Sequence, residues 1–361
     1  MSRSGNPLVV LATGGTGGHV YPALALADHL GEAGVDTLLV GAEGGIEQRL
    51  SAEADVPFHG VPAGKLDRQR PDPRQLYAAL RGVLAARRLL RGRKPELVIG
   101  FGGFASLPAT AAAAWLRVPL WLNEQNAFPG LVTRLLAGRA ERVIASVEAA
   151  VPRIRSRNTT VLPYPVDETE FTRTEARRLL GLPEDGLLTL VLGGSQGAAA
   201  LNEAVTQVAH ARGTDFPLTL HVTGPDHLER VRAAAPDLPQ HRLEGYVDGR
   251  VAFAAADVAI TRAGIGTLSM AAFNGVPLIM VPLPAAAENH QFHNARTFAR
   301  AGAGTVLEQS ELARLEEEWL RLLDEEVLRP AAAAAVTFSP AGATARFAGA
   351  VLERLGKEPL S

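Results

Sequence analysis

This 361-residue chain predicts an α/β protein built from two parallel sheets in tandem. Three observations carry that prediction. Short apolar runs of strand length alternate with helix-length amphipathic segments, as doubly wound parallel sheets require. The alternation breaks at residues 155–171, RSRNTTVLPYPVDETEF, a stretch of turn residues, prolines and mixed charge, and then restarts. Each half also opens alike, with an apolar strand running into a glycine loop and a helix. The first loop is Thr13-Gly14-Gly15-Thr16-Gly17-Gly18-His19 and the second is Gly193-Gly194-Ser195-Gln196-Gly197. The length suffices for two domains with a core each.

In the first half, Leu8 to Ala12 reads as a buried strand. Val20, Leu24 and Ala27 then recur at helical spacing, so a helix starts at the glycines. The loop misses the dinucleotide fingerprint, because its third glycine position is Val20, and it lacks the Lys-Ser/Thr of a P-loop. Four glycines around a Thr and a His still let backbone N–H groups come close to a ligand. Thr37 to Val40 is a second strand. Residues 74–91 form an amphipathic helix with Tyr77, Leu80 and Leu84 at helical spacing and Arg74, Arg81, Arg87, Arg88 and Arg91 beside them. That pattern fits either a helix docked on an anionic membrane or one turned to the core, and Gly82 interrupts it. Leu97 to Gly100 is a strand ending at Gly102-Gly103-Phe104, and Pro119 to Leu122 delivers Asn123-Glu124-Gln125-Asn126, a set suited to reading hydroxyls. Arg142 to Ser146 is a further strand.

In the second half, strands are expected at Leu187 to Leu192, Leu218 to Val222, Arg242 to Val247, Val258 to Ile260, Leu278 to Val281 and Thr305 to Leu307. The stretch from Thr261 to Asn294 places a second glycine-bearing loop, Arg262 to Thr267, and a helix start near Gln291 at one sheet edge. Helix N-termini at such an edge favour an anionic ligand. Residues 341–355 form a last helix.

Composition narrows the function classes. A net charge of −2 excludes the basic excess of a dedicated nucleic-acid binder. The chain has no cysteine, hence no disulfide or thiolate metal site. The N-terminal apolar run is too short for a signal peptide or a spanning helix, which points to the cytoplasm and at most a peripheral membrane contact. His290 and His293 share a helix face, but a helix N-terminus disfavours a cation, so no metal site is expected. His19 stands at another helix start, where the dipole favours a neutral imidazole; it is a candidate general base or a hydrogen-bonded structural residue. Ser195, in Gly193-x-Ser195-x-Gly197, matches the nucleophile elbow of hydrolases. That competing reading needs one continuous sheet, whereas this chain restarts.

Together these residues resemble the MurG family of glycosyltransferases. Gly14-Gly15-Thr16-Gly17-Gly18-His19, Gly102-Gly103-Phe104, Glu124-Gln125-Asn126, Gly193-Gly194-Ser195-Gln196-Gly197 and the 261–294 block stand in that family's order over nearly the whole chain. The resemblance implies the GT-B fold: two Rossmann-like parallel-sheet domains facing a cleft, with the last helix returning to the first domain. The implied domains are residues 1–163 with the helix at about 341–357, for acceptor and membrane, and residues 164–340, for the donor. The implied reaction moves N-acetylglucosamine, with inversion, from UDP-GlcNAc to the C4 hydroxyl of the MurNAc of lipid I. It gives lipid II for peptidoglycan synthesis, and hence for cell shape and division, and requires no cofactor. The acceptor would meet Gly14, Gly15, Thr16, Gly102, Gly103 and Glu124, with His19 as base. The donor would meet Thr16, Gly17, Gly18, Asn126, Ser195, Val247, Arg262, Gly264, Ile265, Gly266, Thr267, Leu268, Ser269, Met270, Gln291 and Asn294. In that scheme Asn126, Gln291 and Asn294 read the sugar, Ser195 and the Arg262 loop hold the diphosphate, and the Val247 backbone pairs with uracil. The expected partners are UDP-GlcNAc, lipid I, an anionic membrane surface through the 74–91 helix and other cell-wall synthesis proteins. The expected place is the cytoplasmic face of the plasma membrane.

Two positions depart from the family pattern. A ribose-gripping glutamate is expected where Met270 stands, and Asn-Pro-Val-Arg where the chain reads Tyr164-Pro165-Val166-Asp167. Both changes act against the donor. They leave open a donor-weakened paralogue that binds lipid I or partner proteins, or a transferase with a changed nucleotide-sugar.

Overall fold

A computed structural model describes residues 5–64, 72–193, 198–284, 286 and 289–358. The chain divides into two compact units, residues 1–166 with 342–361, and residues 167–341.

The first unit runs β1 (Leu8–Ala12), α1 (Gly17–Glu32), β2 (Asp36–Ala42), α2 (Ile46–Glu53), β3 (Phe58–Val61), α3 (Pro73–Arg93), β4 (Leu97–Gly100), α4 (Leu107–Leu116), β5 (Leu120–Glu124), α5 (Leu131–Leu136), β6 (Arg142–Ala145) and β7 (Thr159–Val161). Its seven described strands are parallel in the order β3-β2-β1-β4-β5-β6-β7. The order reverses between β1 and β4, and at such a switch point the loops after the two strands splay apart and leave a crevice. Those loops are the glycine loops at residues 13–18 and 101–103. Alternate residues cover the two faces of the sheet: Val10, Ala12, Val98 and Leu122 pack on one side, and Val9, Leu11, Ile99 and Trp121 on the other. β7 lies inside the stretch that reads as a connector, because three residues of extended Thr and Val are too few to show a period.

The second unit runs α6 (Arg173–Leu179), β8 (Thr189–Leu192), α7 (Ala199–Arg212), β9 (Thr219–Val222), α8 (Leu228–Ala234), β10 (His241–Glu244), α9 (Gly249–Ala255), β11 (Val258–Thr261), α10 (Ile265–Phe273), β12 (Leu278–Met280), α11 (His290–Arg300), β13 (Gly304–Val306), α12 (Leu315–Leu323) and α13 (Glu325–Val336). Its six described strands are parallel in the order β10-β9-β8-β11-β12-β13. The switch point falls between β8 and β11, and the loop after β11 is Arg262 to Gly264. β10 ends at Glu244, so Val247 stands on the turn beyond the strand rather than in it.

The last helix, α14 (Ala343–Arg354), belongs to the first unit. Phe347, Ala348, Val351 and Leu352 recur on one face and join the cluster of Leu26 and Leu30 from α1. Glu141 clasps the helix end, accepting from Arg354 Nε at 2.6 Å.

α3 corrects the core-facing reading of its stripe. Asp72 caps it by accepting from Arg74 N–H, with Pro73 in the first turn. The buried face is Ala79, Gly82, Ala86 and Leu90, where a Cβ on Gly82 would overlap the Pro62 carbonyl. Tyr77, Leu80 and Leu84 are 64%, 57% and 47% exposed. Gly82, which interrupts the stripe in the sequence, belongs to the buried face.

One buried polar chain stands in the second unit. Asn202 donates its amide to the Thr223 carbonyl at 2.9 Å, which turns Asn202 Oδ1 toward His221 Nε2 at 3.1 Å. His221 Nδ1 then faces His241 Nε2 at 3.2 Å. This sequence fixes both tautomers, each Nε2–H donating, and leaves both rings neutral. Burial pushes His221 down to about 3, with the neighbouring His241 adding to it, and burial pushes His241 down to about 4. Because the folded values lie below the unfolded value of 6.5, the resulting stability is present above pH 6.5 and lost as pH falls toward 4. The expected loss is about 1.4 kcal/mol per pH unit for each histidine. Denaturant unfolding followed from pH 7 to pH 4.5 checks it, and His241→Phe should flatten the slope.

Candidate functional site

In the first unit the site is built on loops that touch. Gly14 and Gly15 both take positive φ, 143° and 90°. Gly103 comes so close that a Cβ there would overlap the Gly14 carbonyl oxygen. The two glycine loops at the switch point therefore interlock through backbone, which side chains would prevent. Thr16 is the N-cap of α1 in extended geometry. Its hydroxyl lies 2.8 Å from His19 Nδ1, and Thr13 Oγ1 donates to the His19 carbonyl at 2.5 Å. The His19 ring lies against Gly102, where a Cβ would stand 3.0 Å from Cδ2. His19 is thus held at the C-terminal edge of the sheet, beside Thr16 and both glycine loops.

Glu124 is buried at the end of β5, and its oxygens accept from its own loop: Asn126 N–H at 3.0 Å and Gly130 N–H at 2.9 Å. Burial raises its carboxyl above the usual range, outweighing the hydrogen bonds from Thr133, Asn126 and Gly130. Its local effect is to shape the 125–130 turn that presents Asn126. Tyr164, a position the sequence marks only as a departure, is buried and donates its hydroxyl to the Gly18 carbonyl at 2.7 Å. It braces the first turn of α1.

In the second unit, Gly194 to Gly197, and with them Ser195, lie outside the described residues, as does Glu288. The loop Arg262–Gly264 leads into α10, which carries Ile265 to Met270. Arg262 is buried and its guanidinium turns inward, donating to the Val281 and Pro282 carbonyls at 3.2 and 3.3 Å and to Gln309 Oε1 at 2.8 Å. Burial lowers its pKa. Met270 is half-buried and packs with Val247 on the apolar cluster of this unit. α11 begins at His290 after Asn289 in the left-handed region. Gln291 Oε1 accepts from Leu283 N–H at 2.9 Å, and Asn294, fully buried, donates to the Ala263 carbonyl at 3.4 Å. The structure thus brings Gln291 and Asn294 to the loops after β11 and β12. Tyr246, which sequence reasoning passed over, stands 80% exposed beside Val247. An exposed ring next to a turn is the signal that could have found it. Among the described residues no group of three or more His, Asp or Glu is placed to hold a metal ion.

The charge reversal at Asp167 meets a cation from another element. Arg250, on α9, donates to Asp167 Oδ2 at 2.7 Å and grips Asp248 through Nε and Nη2. Burial works to raise the Asp167 carboxyl; hydrogen bonds from Thr169 and the Arg250 guanidinium outweigh it and hold it low. Neither Arg173, which pairs with Asp257, nor Arg262 faces it. Asp167→Arg alone is therefore expected to place two cations together and lower stability by about 1 kcal/mol or less, since both groups are partly exposed. In a denaturant cycle on an Arg250→Gln background the penalty of Asp167→Arg should disappear, because the second cation is gone.

Comparison with known proteins agrees with this architecture. Residues 9–145 match the glycosyltransferase family 28 N-terminal domain, and residues 188–346 its C-terminal domain. A protein of Deinococcus deserti named UDP-N-acetylglucosamine--N-acetylmuramyl-(pentapeptide) pyrophosphoryl-undecaprenol N-acetylglucosamine transferase is 44% identical, over 96% of this chain and 99% of its own. The protein of the same name from Thermus thermophilus is 42% identical over 94% and 98%. The crystal structure of Acinetobacter baumannii MurG superposes with a TM-score of 0.78 at 27% identity, covering 96% of this chain and 99% of that one. Two separate parallel sheets also depart from the single sheet of the hydrolase reading of Ser195. With its paired Rossmann-like units, its full-length likeness to these transferases and its GT-B fold, the chain belongs to glycosyltransferase family 28, as a member of the MurG family.

Proposed function

We infer that this chain is the N-acetylglucosaminyltransferase that converts lipid I to lipid II with UDP-GlcNAc as donor. The observation that carries the reading is the unbroken likeness to enzymes of that name across both units. The first unit takes the acceptor at the Gly14–Gly18 and Gly102–Gly103 loops. The second takes the donor at the loops after β8, β11 and β12. Backbone N–H groups at the starts of α7 and α10 suit the diphosphate. The exposed Tyr246 ring offers a face on which uracil stacks beside the Val247 backbone.

In the reaction, the acceptor C4 hydroxyl oxygen bonds to the anomeric carbon from the face opposite the diphosphate. The bond from that carbon to the diphosphate oxygen breaks, and UDP leaves with the electron pair, so the centre inverts. His19 takes the hydroxyl proton on Nε2 while Nδ1–H donates to Thr16 Oγ1, which holds the ring in one tautomer. N–H groups around the departing diphosphate stabilise its growing charge. The direct test is labelled UDP-GlcNAc with lipid I in detergent. A labelled β-linked lipid II is expected, and its absence would sink the reading.

The acceptor is a membrane lipid, so the enzyme works at the cytoplasmic face of the plasma membrane as a peripheral protein. No helix among the described residues is long and apolar enough to cross a membrane. What supports docking is α3: exposed Leu76, Tyr77, Leu80 and Leu84, with exposed Trp115 from α4. Arginines flank this face, Arg87 standing 4.4 Å from the Trp115 ring and Arg81 5.8 Å from Tyr77. Apolar rings and chains enter the headgroup boundary while the guanidiniums meet anionic lipid. Leu80→Ser with Leu84→Ser is expected to reduce sedimentation with anionic vesicles about tenfold or more. Activity on a soluble acceptor analogue should be unchanged.

A further inference from the structure

We propose that Glu47, outside both glycine loops, is the positioning residue that sets the Gly14–Gly15 backbone for the acceptor. The inference rests on the transferase reading above and assigns a role within that same site. Glu47 lies in the first turn of α2 and is wholly buried. Its Oε1 accepts from Ala42 N–H at 2.7 Å, at the end of β2, and its Oε2 accepts from Gly15 N–H at 3.3 Å. Three glycines from separate positions form its socket. A Cβ on Gly14 would overlap Oε1, one on Gly41 would stand 2.5 Å from Cγ, and one on Gly45 would stand 2.6 Å from the carboxylate. Among the described residues no Arg or Lys pairs with it. Its charge is met by backbone N–H groups and the start of α2.

A buried acid without a cation is costly, yet an apolar side chain of like volume would leave the Ala42 and Gly15 N–H groups without an acceptor. What the carboxylate adds is two directed acceptors, one of them on the loop. Gly15 therefore turns its N–H inward, onto Glu47. That contact orients the Gly14–Gly15 peptide, while Gly103 meets the Gly14 carbonyl and the Phe104 ring lies 3.1 Å from where a Gly15 Cβ would stand. The loop is held between Glu47 on one side and Gly103–Phe104 on the other. Thr16 and His19 take their places from it, and a small displacement at a reacting group carries a large rate penalty.

The test uses the full chain with UDP-GlcNAc and a soluble lipid I analogue. Glu47→Gln keeps the shape but turns an amide NH₂ on one of the two backbone donors. Its kcat/KM for the acceptor is expected to fall about ten- to a hundredfold, with the UDP-GlcNAc dissociation constant unchanged by calorimetry. Deuterium uptake in residues 13–19 should rise. Glu47→Leu removes both acceptors: it should share the acceptor defect at some cost in melting temperature, and Glu47→Asp, which keeps a carboxylate one methylene short, replaces either variant should it not fold. Acceptor kinetics and uptake like wild type would overturn the proposal, as would equal losses of donor and acceptor affinity. If the wild type makes no transfer at all, the transferase reading falls. Deuterium uptake in residues 13–19 then decides by itself whether Glu47 orders the loop.

Discussion

His19→Ala is expected to lower kcat about a hundred- to ten-thousandfold, the range over which a positioned general base acts. Calorimetric UDP-GlcNAc affinity should stay as in wild type, because the ring sits among acceptor-side loops. The geometry behind the expectation is local. The Thr16 hydroxyl lies on Nδ1 at 2.8 Å, the His19 N–H donates to the Thr16 carbonyl at 3.0 Å, and Gly102 lies against the ring. A side chain clamped at both backbone and ring has its proton-accepting edge pre-set, with little reorganisation left for the reaction. A kcat that survived the change would put the proton on another group and leave His19 as a loop-holding residue.

Met270→Glu is expected to tighten UDP-GlcNAc about ten- to a hundredfold, the worth of hydrogen bonds between a charged carboxylate and two ribose hydroxyls. Met270 is half-buried at the sixth residue of α10 and leans, as Val247 does, on the apolar cluster of this unit. The new carboxylate would therefore have a wet side from which to reach a ligand. The change gives up part of one thioether's packing, about 1 kcal/mol of stability, which a melting curve would record. Calorimetry on both proteins decides the matter. An unimproved affinity would mean that this enzyme holds the ribose by other groups and that Met270 is no defect.

Much of the architecture was legible in the residues because its signals are local. Apolar runs such as Leu8–Ala12 and Val258–Thr261, each followed by glycines and a helical period, mark strand, turn and helix in succession. Two such openings on either side of a Pro-rich stretch mark two parallel-sheet units. The motif order then implied the family, and with it the transferase reading that the full-length relatives carry. β3 and β7 escaped notice because Phe58-His59-Gly60-Val61 and Thr159-Thr160-Val161 carry no continuous apolar run, unlike equally short strands such as β4.

The tertiary structure decided the matters that depend on non-local contact. Leu80 and Leu84 have one spacing whether they face core or solvent, and only the packing of Ala79, Gly82, Ala86 and Leu90 beneath them turned the stripe outward. Asp167 reads as a lost cation until Arg250, 83 residues on, is brought against it. Glu47 carries no motif in the sequence, and only the fold sets it against its partner Gly15, 32 residues away. Periodicity and motif are written along the chain, whereas the partners of a charge are set by which strands lie side by side. The residues by themselves therefore determined the strand order's raw material and the class of chemistry. The parallel registers of β1 with β2 and β4 decided which side chains serve it.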